Sequence, residues 1–327
     1  MTSHEEINAL PQSTCTGRVG VILVNWNGAE LTIPCIESLL ASSYSNFHII
    51  VVDDGSTDGS ADRISQRFPD LELLRQPANL GLSKARNRGI ERALELGSDY
   101  VLILDNDTRV DPDLIANLLK AAAAIGEPVV VGPKIYWLDY PDRLWFAYGR
   151  LSLWTGIYSN AAYNHVDHGQ FDRAVEMDVG SGCCMLIPKE VFRAVGSFDE
   201  TYGRWATEDV DWCLRCRRVP FRIVYSPKAK VWHRVSGSAD KMPRALTRFL
   251  ATRNQLWSCR RLASSCQMCT IALLYPFRAT LRIFAMITRR QWECIWAELR
   301  GARDGFLAPL RQADNFHTGP NPRTPLR

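Results

Sequence analysis

Three stretches of this chain consist almost wholly of branched aliphatic side chains and then run out into Asn or Asp: VGVILVN (19–25), FHIIVVDD (47–54) and DYVLILDND (99–107). Runs of Val, Ile and Leu without polar alternation are strands covered on both faces, the pattern of a parallel sheet. LELLRQ (71–76) and PVVVGPKIY (128–136) read as further strands. The segments between them carry helical periodicity, as in LTIPCIESLL, DGSADRISQRF, SKARNRGIERALEL and PDLIANLLKAAAAIG. Strands alternating with helices make a doubly wound α/β domain, in which ligands bind beyond the carboxyl ends of the strands. Asn25, Asp53, Asp54, Asp105 and Asp107 all fall at those ends. Packing gives no reason to put carboxylates at successive strand ends, so a polar site is expected there.

Farther along, residues 133–180 are irregular and rich in aromatics, and strand-and-loop structure capping the same sheet edge is expected. EVFRAVGSFDE and TEDVDWCLRCRR then read as short helices, and FRIVYSPKAKVWH as a hairpin-like finish. With 46% apolar and 23% charged residues, the composition is that of a soluble globular protein. The first 18 residues have no apolar core of a signal peptide, so a flexible leader and a cytosolic location are expected. Ten scattered cysteines in a reducing compartment argue against a disulfide framework. The pairs Cys213/Cys216 and Cys266/Cys269 lack the turn residues of a zinc knuckle, and a buried-core role is preferred for them.

Each chemical motif has two readings. Asp105 and Asp107 could turn carboxylates toward one hard cation, which favours such ligands together with phosphate oxygens. The same residues could cap the helix that follows. In DDGSTDG (53–59) a sharp turn and N-cap account for Ser56, Asp58 and Gly59, but not for Asp53, which could accept from a pyrimidine N3–H. NLGLSKARN (79–87) offers a helix N-terminus and Arg86 to a diphosphate, or else a solvated basic face. In TEDVD (207–211), acidic residues suit the first turn of a helix ending in Arg217-Arg218. Three carboxylates beside Trp205 and Trp212 exceed that need, and Asp209 is a candidate general base, with Glu208 next to it. A lone His233 is ordinarily a packed residue, although histidine is a common metal ligand.

Taken together, VILVNWNG, VVDDGSTDGS, NLGLSKARNRG, LILDNDT, GSGCCMLIPKEVFRAVGSFDE, TEDVDWCLR and VWHRVSG resemble, in that order, the family 2 glycosyltransferases of GT-A fold, over about residues 19–238. The loop WFAYGRLSLWTG…DHGQFD and the later RFLATRNQLW resemble the bacterial rhamnosyltransferase-type members. The resemblance implies a Rossmann-like, mostly parallel sheet flanked by helices. It implies nucleotide-sugar contacts at Asn25, Asp53, Arg86, Asp105 and Gly182, the last within a GSGCC stretch lining the sugar pocket. Asp105, Asp107 and His233 would hold Mg²⁺ or Mn²⁺, and Asp209 and Glu208 would be catalytic. Asp54 departs from the Asn of many relatives and is not expected to be indispensable. The implied activity is inverting transfer of a sugar, foremost L-rhamnose from dTDP-rhamnose, to a glycan or lipid-linked acceptor in bacterial surface polysaccharide synthesis. A UDP-hexose donor is the alternative, followed by a nucleotidyltransferase or a non-catalytic binding module. A nicotinamide dehydrogenase should show G-x-G-x-x-G after its first strand, where NWNG stands instead.

Downstream of a catalytic domain at 19–240, residues 241–311 hold 13 Lys/Arg against 3 Asp/Glu, although the whole chain carries only +4. A basic tail on an acidic body points to a polyanion. The uncharged run 262–277 falls short of the ~20 residues of a spanning helix. Apolar residues recur at helical spacing beyond it, among Arg282, Arg289 and Arg290. Peripheral membrane contact through 262–300, at the inner face of the cell membrane, is therefore expected ahead of packing or homodimerisation. Nucleic acid is not expected as a partner, because no binding motif accompanies the charge. The end, 312–327, is expected to be disordered.

Overall fold

The computed structural model describes residues 16–202, 207–219, 221–235 and 243–308. Most of the expected leader, the whole expected tail and Trp205 lie outside the described residues.

The apolar runs form strands β1 (Val19–Asn25), β2 (Phe47–Asp53), β3 (Glu72–Arg75) and β4 (Tyr100–Asp105), paired in parallel in the order β3-β2-β1-β4. Helices α1 (Ala29–Leu40), α2 (Ser60–Arg67) and α3 (Leu82–Glu95) connect them. Val21, Leu23, Ile50, Val51, Leu102 and Ile103 are fully buried, as strands sandwiched between helices must be. The chain continues through β5 (Thr108–Val110), α4 (Leu114–Ala123) and β6 (Val129–Trp137). Strand β7 (Leu144–Phe146) pairs with β6, while β8 (Gly149–Ser152) and β9 (Ile157–Asn160) make a separate hairpin, followed by β10 (Val175–Glu176). The aromatic-rich segment is thus strand and loop, as its composition suggests.

The second half of the sheet departs from the expected pattern. Strand β11 (Cys184–Pro188) runs antiparallel between β4 and β6, where no strand was expected. Five buried residues suffice for it because neighbours satisfy its backbone on both sides. Helices α5 (Lys189–Val195) and α6 (Glu208–Cys216) follow. The expected terminal hairpin is instead one long strand, β12 (Arg222–His233), parallel to β6. Its Ser-Pro-Lys sequence is absorbed as a register shift between Ser226 and Lys230 instead of a chain reversal. The sheet order is β10-β12-β6-β11-β4-β1-β2-β3, mostly parallel.

Three helices close the described chain: α7 (Arg244–Leu262), α8 (Ser265–Thr288) and α9 (Trp292–Leu307). A capping box starts α8: Ser264 Oγ accepts from Gln267 N, and Gln267 Oε1 accepts from Ser264 N at 2.8 Å. The helix continues through Pro276 for 24 residues, so by length and composition it could cross a membrane, contrary to the shorter apolar run expected. Of the two cysteine pairs, Cys213 and Cys216 are buried, whereas Cys266 and Cys269 are exposed on α8 and play no core role.

Candidate active site

The carboxyl ends of β1, β2 and β4 open into a cavity of about 1050 Å³, also walled by α6, α7 and the β8–β9 hairpin. At its floor, Asn25 and Asp53 are register partners. Asn25 Nδ2 donates to Asp53 Oδ1 at 2.7 Å, and Asp53 also accepts from Ser56 N (3.0 Å) and Ser56 Oγ (2.6 Å). Thr32 Oγ1 donates to Asn25 Oδ1 at 2.7 Å. Both residues are buried in this network, and neither lines the cavity. Asp54 does line it, and its carboxylate accepts from Leu80 N (2.9 Å) and Gly81 N (3.0 Å). That loop lies so close to Gly55 (φ +69°) that a Cβ there would fall 2.3 Å from Ala78 C, so only glycine fits the turn.

β4 ends at Asp105, which lines the cavity with Asn106 and Asp107. The short strand β5 then pairs antiparallel with β12, placing His233 opposite Thr108. This ladder carries His233 Nε2 to 3.0 Å from Asp107 Oδ1 and 3.9 Å from Asp105 Oδ2. Trp145 packs edge-on against the imidazole, with ring centroids 4.7 Å apart. Burial disfavours the imidazolium, but the hydrogen bond to Asp107 and the charges of Asp107 and Asp105 outweigh it and raise the His233 pKa.

Arg86, buried on α3, ties this group to α6. Its Nη2 donates to Asp105 Oδ1 (2.7 Å) and to the Gly182 carbonyl (2.9 Å), and its Nη1 donates to Glu208 Oε1 (3.0 Å). Burial opposes its charge, and Asp105, Glu208 and Asp209 more than restore it. Glu208 is pushed up to about 7, first by burial and then by Asp209, with Arg86 pulling the other way. Asp105 is also raised by burial, which the pull of Arg86 does not cancel. Gly182 N donates to Asp209 Oδ2 at 2.8 Å, and a Cβ on Gly182 would meet Arg86 and Asp209 at 3.0 Å each. Thr207, before the helix, holds φ +78°, an uncommon and costly backbone for a β-branched residue. Asp211 is engaged elsewhere, accepting from Tyr202 Oη (2.8 Å) and Arg215 Nε (2.8 Å).

Arg86, Asp105, Asp107, Gly182, Glu208, Asp209 and His233 therefore converge on one cavity. Of the GSGCC stretch, Ser181, Gly182 and Cys183 line it. Sequence reasoning did not single out Trp145 or Tyr158 for the site, and took Cys183 only as part of the GSGCC lining. Cys183 Sγ lies within 4.8 Å of ligand atoms of Asp105 and His233, and its thiol is raised well above its ordinary value by burial.

A divalent cation fits these residues. Asp105, Asp107, Glu208 and Asp209 bring four carboxylates to one region, where Arg86 pairs with Asp105 and Glu208. His233 Nδ1 is buried with no hydrogen-bond partner among the described residues, while Nε2 faces the carboxylates. Two carboxylates and an imidazole suit Mg²⁺ or Mn²⁺.

The glycosyl transferase family 2 sequence profile matches residues 20–196, more than half of the chain. The chain belongs to glycosyl transferase family 2. It is a glycosyltransferase with the GT-A fold, and the resemblance seen in its motifs is confirmed. The nucleotidyltransferase and binding-module alternatives fall away. This family 2 member is 29% identical over 253 residues to N-acetylglucosaminyl-diphospho-decaprenol L-rhamnosyltransferase from Mycobacterium tuberculosis, covering 68% of this chain and 82% of the relative. It is 25% identical over 201 residues to the dTDP-rhamnosyl transferase RfbF of Shigella flexneri, covering 60% and 63% of the two chains. Among solved structures, the mannosyltransferase PcManGT from Pyrobaculum calidifontis, in complex with GDP-Man and Mn²⁺, superposes with a TM-score of 0.54 at 17% identity over 92% of this chain and 90% of that one. GalNAc-T7 with UDP, GalNAc and Mn²⁺ gives 0.59 at 15% identity, over 75% of this chain and 48% of that one. This chain thus spans about half of GalNAc-T7.

Proposed function

We propose that this glycosyltransferase transfers L-rhamnose from dTDP-rhamnose to a lipid-linked glycan acceptor, with inversion, at the cytoplasmic face of a bacterial membrane. The observation that carries the reading is the placement of Asp209 in one cavity with Asp105, Asp107 and His233. The two rhamnosyltransferase relatives support the donor sugar, and the diphospho-decaprenol in the name of one supports the acceptor class.

Asp105, Asp107 and His233 would hold Mg²⁺ or Mn²⁺. The ion would stabilise negative charge on the leaving diphosphate. Arg86 orients Asp105 and Glu208 and adds a fixed positive charge beside the donor. Asp54 and the loop it ties down sit where the nucleoside would lie, while Asn25 and Asp53 keep that floor rigid. Asp209, aimed by the Gly182 N–H, accepts the proton of the attacking hydroxyl. Attack from the face opposite the leaving group inverts the anomeric centre.

The membrane part of the reading rests on α8. Arg278 and Arg282 face inward, and Leu273 (79% exposed), Phe277 (69%), Leu281 and Phe284 face outward, continued by Trp292 and Trp296 on α9. A helix with its charges inside and its apolar face outside suits a lipid surface, with Arg289 and Arg290 near anionic headgroups. Because α8 packs along α9 and its inward arginines are tied down, it would lie on the bilayer instead of crossing it.

The test is transfer of radiolabelled rhamnose from dTDP-rhamnose to a polyprenyl-diphosphate-linked N-acetylglucosamine with Mg²⁺ or Mn²⁺, run beside a panel of UDP-hexoses. Transfer from a UDP-hexose alone would overturn the donor assignment. Failure to bind or hydrolyse any nucleotide sugar would overturn the enzymatic reading of the site.

A further inference from the structure

The cavity continues away from Asp209 toward the C-terminal helices, where Gln255 and Cys259 of α7 and Arg278 of α8 line it. Behind them a pocket of about 100 Å³ is bordered by Arg248, Arg278, Arg282 and Tyr275. Among the described residues, one carboxylate pairs with this basic group. Glu298, fully buried on α9, accepts from Arg248 (2.5 Å), Arg282 (2.5 Å), Tyr275 (2.7 Å) and Thr252 (2.9 Å). Arg278 has no ion-pair partner among the described residues. Its guanidinium donates to the Thr155 carbonyl at 2.7 Å, at the tip of the β8–β9 hairpin. Arg248 of α7 and Arg282 of α8 thus share the Glu298 carboxylate, and Arg278, one turn before Arg282 on the inner face of α8, is left with a carbonyl.

We propose that Arg278, backed by Arg248 and Arg282, is a binding subsite for the diphosphate of a polyisoprenoid-diphosphate-linked acceptor, whose hydrocarbon chain leaves along the outer face of α8. The proposal rests on the lipid-linked acceptor reading above and adds the residues that recognise the acceptor's anionic group. A guanidinium has five N–H donors in a fixed fork that matches phosphate oxygens. Most of that capacity in Arg278 is not used by carboxylates. Burial, and then the nearby charge of Arg282, hold Arg278 below its ordinary value, as expected of a cation short of counter-charge. A diphosphate would supply that charge. Asp209 and Arg278 share one cavity, so a single acceptor can present its hydroxyl to the first and its diphosphate to the second. The competing role for Arg278 is a strut for the hairpin, which Gln255 also holds through the Gly156 carbonyl at 2.6 Å.

The test is calorimetric titration of the full chain with farnesyl diphosphate in EDTA, so that metal-dependent donor binding does not contribute. Arg278→Gln should weaken binding at least about tenfold, the cost of losing a charge-assisted contact. Arg278→Lys should weaken it less, and farnesol should bind both variants as it binds wild type. Inorganic pyrophosphate should depend on Arg278 in the same way but bind more weakly. Phosphatidylglycerol vesicles should bind wild type and Arg278→Gln equally, separating the acceptor's diphosphate from lipid headgroups. Equal affinity of wild type and Arg278→Gln for farnesyl diphosphate would overturn the proposal. So would an equal fractional loss for farnesol, which marks a strut, or for vesicles, which marks a headgroup site. Failure of the broader functional reading would appear separately, as absent rhamnosyl transfer with farnesyl diphosphate binding intact.

Discussion

His233 Nε2 lies 3.0 Å from Asp107 Oδ1 because the end of β12 pairs with β5, setting His233 opposite Thr108. A strand register thus builds the imidazole–carboxylate pair from distant parts of the sequence. If the pair holds a divalent ion, His233→Ala should lower Mn²⁺ affinity at least about tenfold, since even residues that only orient metal ligands are worth that much. Electron paramagnetic resonance titration of Mn²⁺ measures it directly. An unchanged Mn²⁺ affinity would remove His233 from the ligand set.

Asp209 offers a cleaner separation of binding from chemistry. Asp209→Asn keeps the shape and the hydrogen bond from Gly182 N but loses the basicity. The turnover number should fall by about 10²–10⁴, the usual share of general base catalysis, while donor affinity stays near wild type. Steady-state kinetics with separate donor-binding calorimetry distinguishes the two. A parallel loss of donor binding would assign Asp209 to the donor instead.

Gly182 is tested by adding one carbon. An alanine Cβ would meet Arg86 Nη1 and Asp209 Oδ2 at 3.0 Å. Arg86 has little room to retreat, since it is held by Asp105 and Glu208. Gly182→Ala should therefore reduce kcat/KM at least about tenfold while costing about 1–3 kcal/mol of stability, the usual range for overpacking. Kinetics paired with thermal unfolding reads both, and wild-type kcat/KM in a folded variant would sink the idea.

The parallel half of the sheet was readable because its strands are unbroken apolar runs, and the positions of Asp105 and Asp107 followed from where β4 stops. Strand β11 was hidden because five residues after a Gly-Ser-Gly sequence carry no periodicity of their own. β12 was misread because Ser226-Pro227-Lys228 has turn chemistry, and only pairing with β6 overrides it. Side-chain direction was also out of reach: Asp53 and Asp54 are adjacent, yet one is consumed by Ser56 and Asn25 and the other faces the cavity. On α8 the period was visible, but which face Arg278 and Arg282 would take depends on Thr155, far away in sequence, and on Glu298 of the next helix.

Glu208 should leave a signature in stability against pH. Its carboxyl is pushed from 4.5 to about 7, chiefly by burial and then by Asp209. The folded state binds this proton more tightly than the unfolded chain does. That contribution is therefore fully present below about pH 4.5 and is lost as pH rises through about 7. The full loss is about 3 kcal/mol, at 1.36 kcal/mol per pKa unit. Glu208→Gln resembles the protonated form and cannot titrate. In EDTA, thermal unfolding should show the variant gaining on wild type as pH rises between about 5 and 8. A difference that stays constant over that range would mean Glu208 is already ionised in the folded protein at its lower end.

The outer face of α8 leads to the last prediction. Phe277, Leu281 and Phe284 are 69%, 59% and 67% exposed, far from the carboxylates of the catalytic cavity in sequence and on a different element. Replacing all three with Glu adds charge to a surface of exposed apolar side chains and removes apolar area that would insert among lipid chains. Each buried apolar side chain is worth about 1.5–3 kcal/mol on transfer from water, so three losses should abolish vesicle binding. Sedimentation with phosphatidylglycerol vesicles measures it. Hydrolysis of dTDP-rhamnose by the same variant should persist, because the donor end of the cavity is untouched. If the triple variant still binds vesicles but changes from dimer to monomer on a sizing column, the face pairs two copies of the chain and does not meet a bilayer.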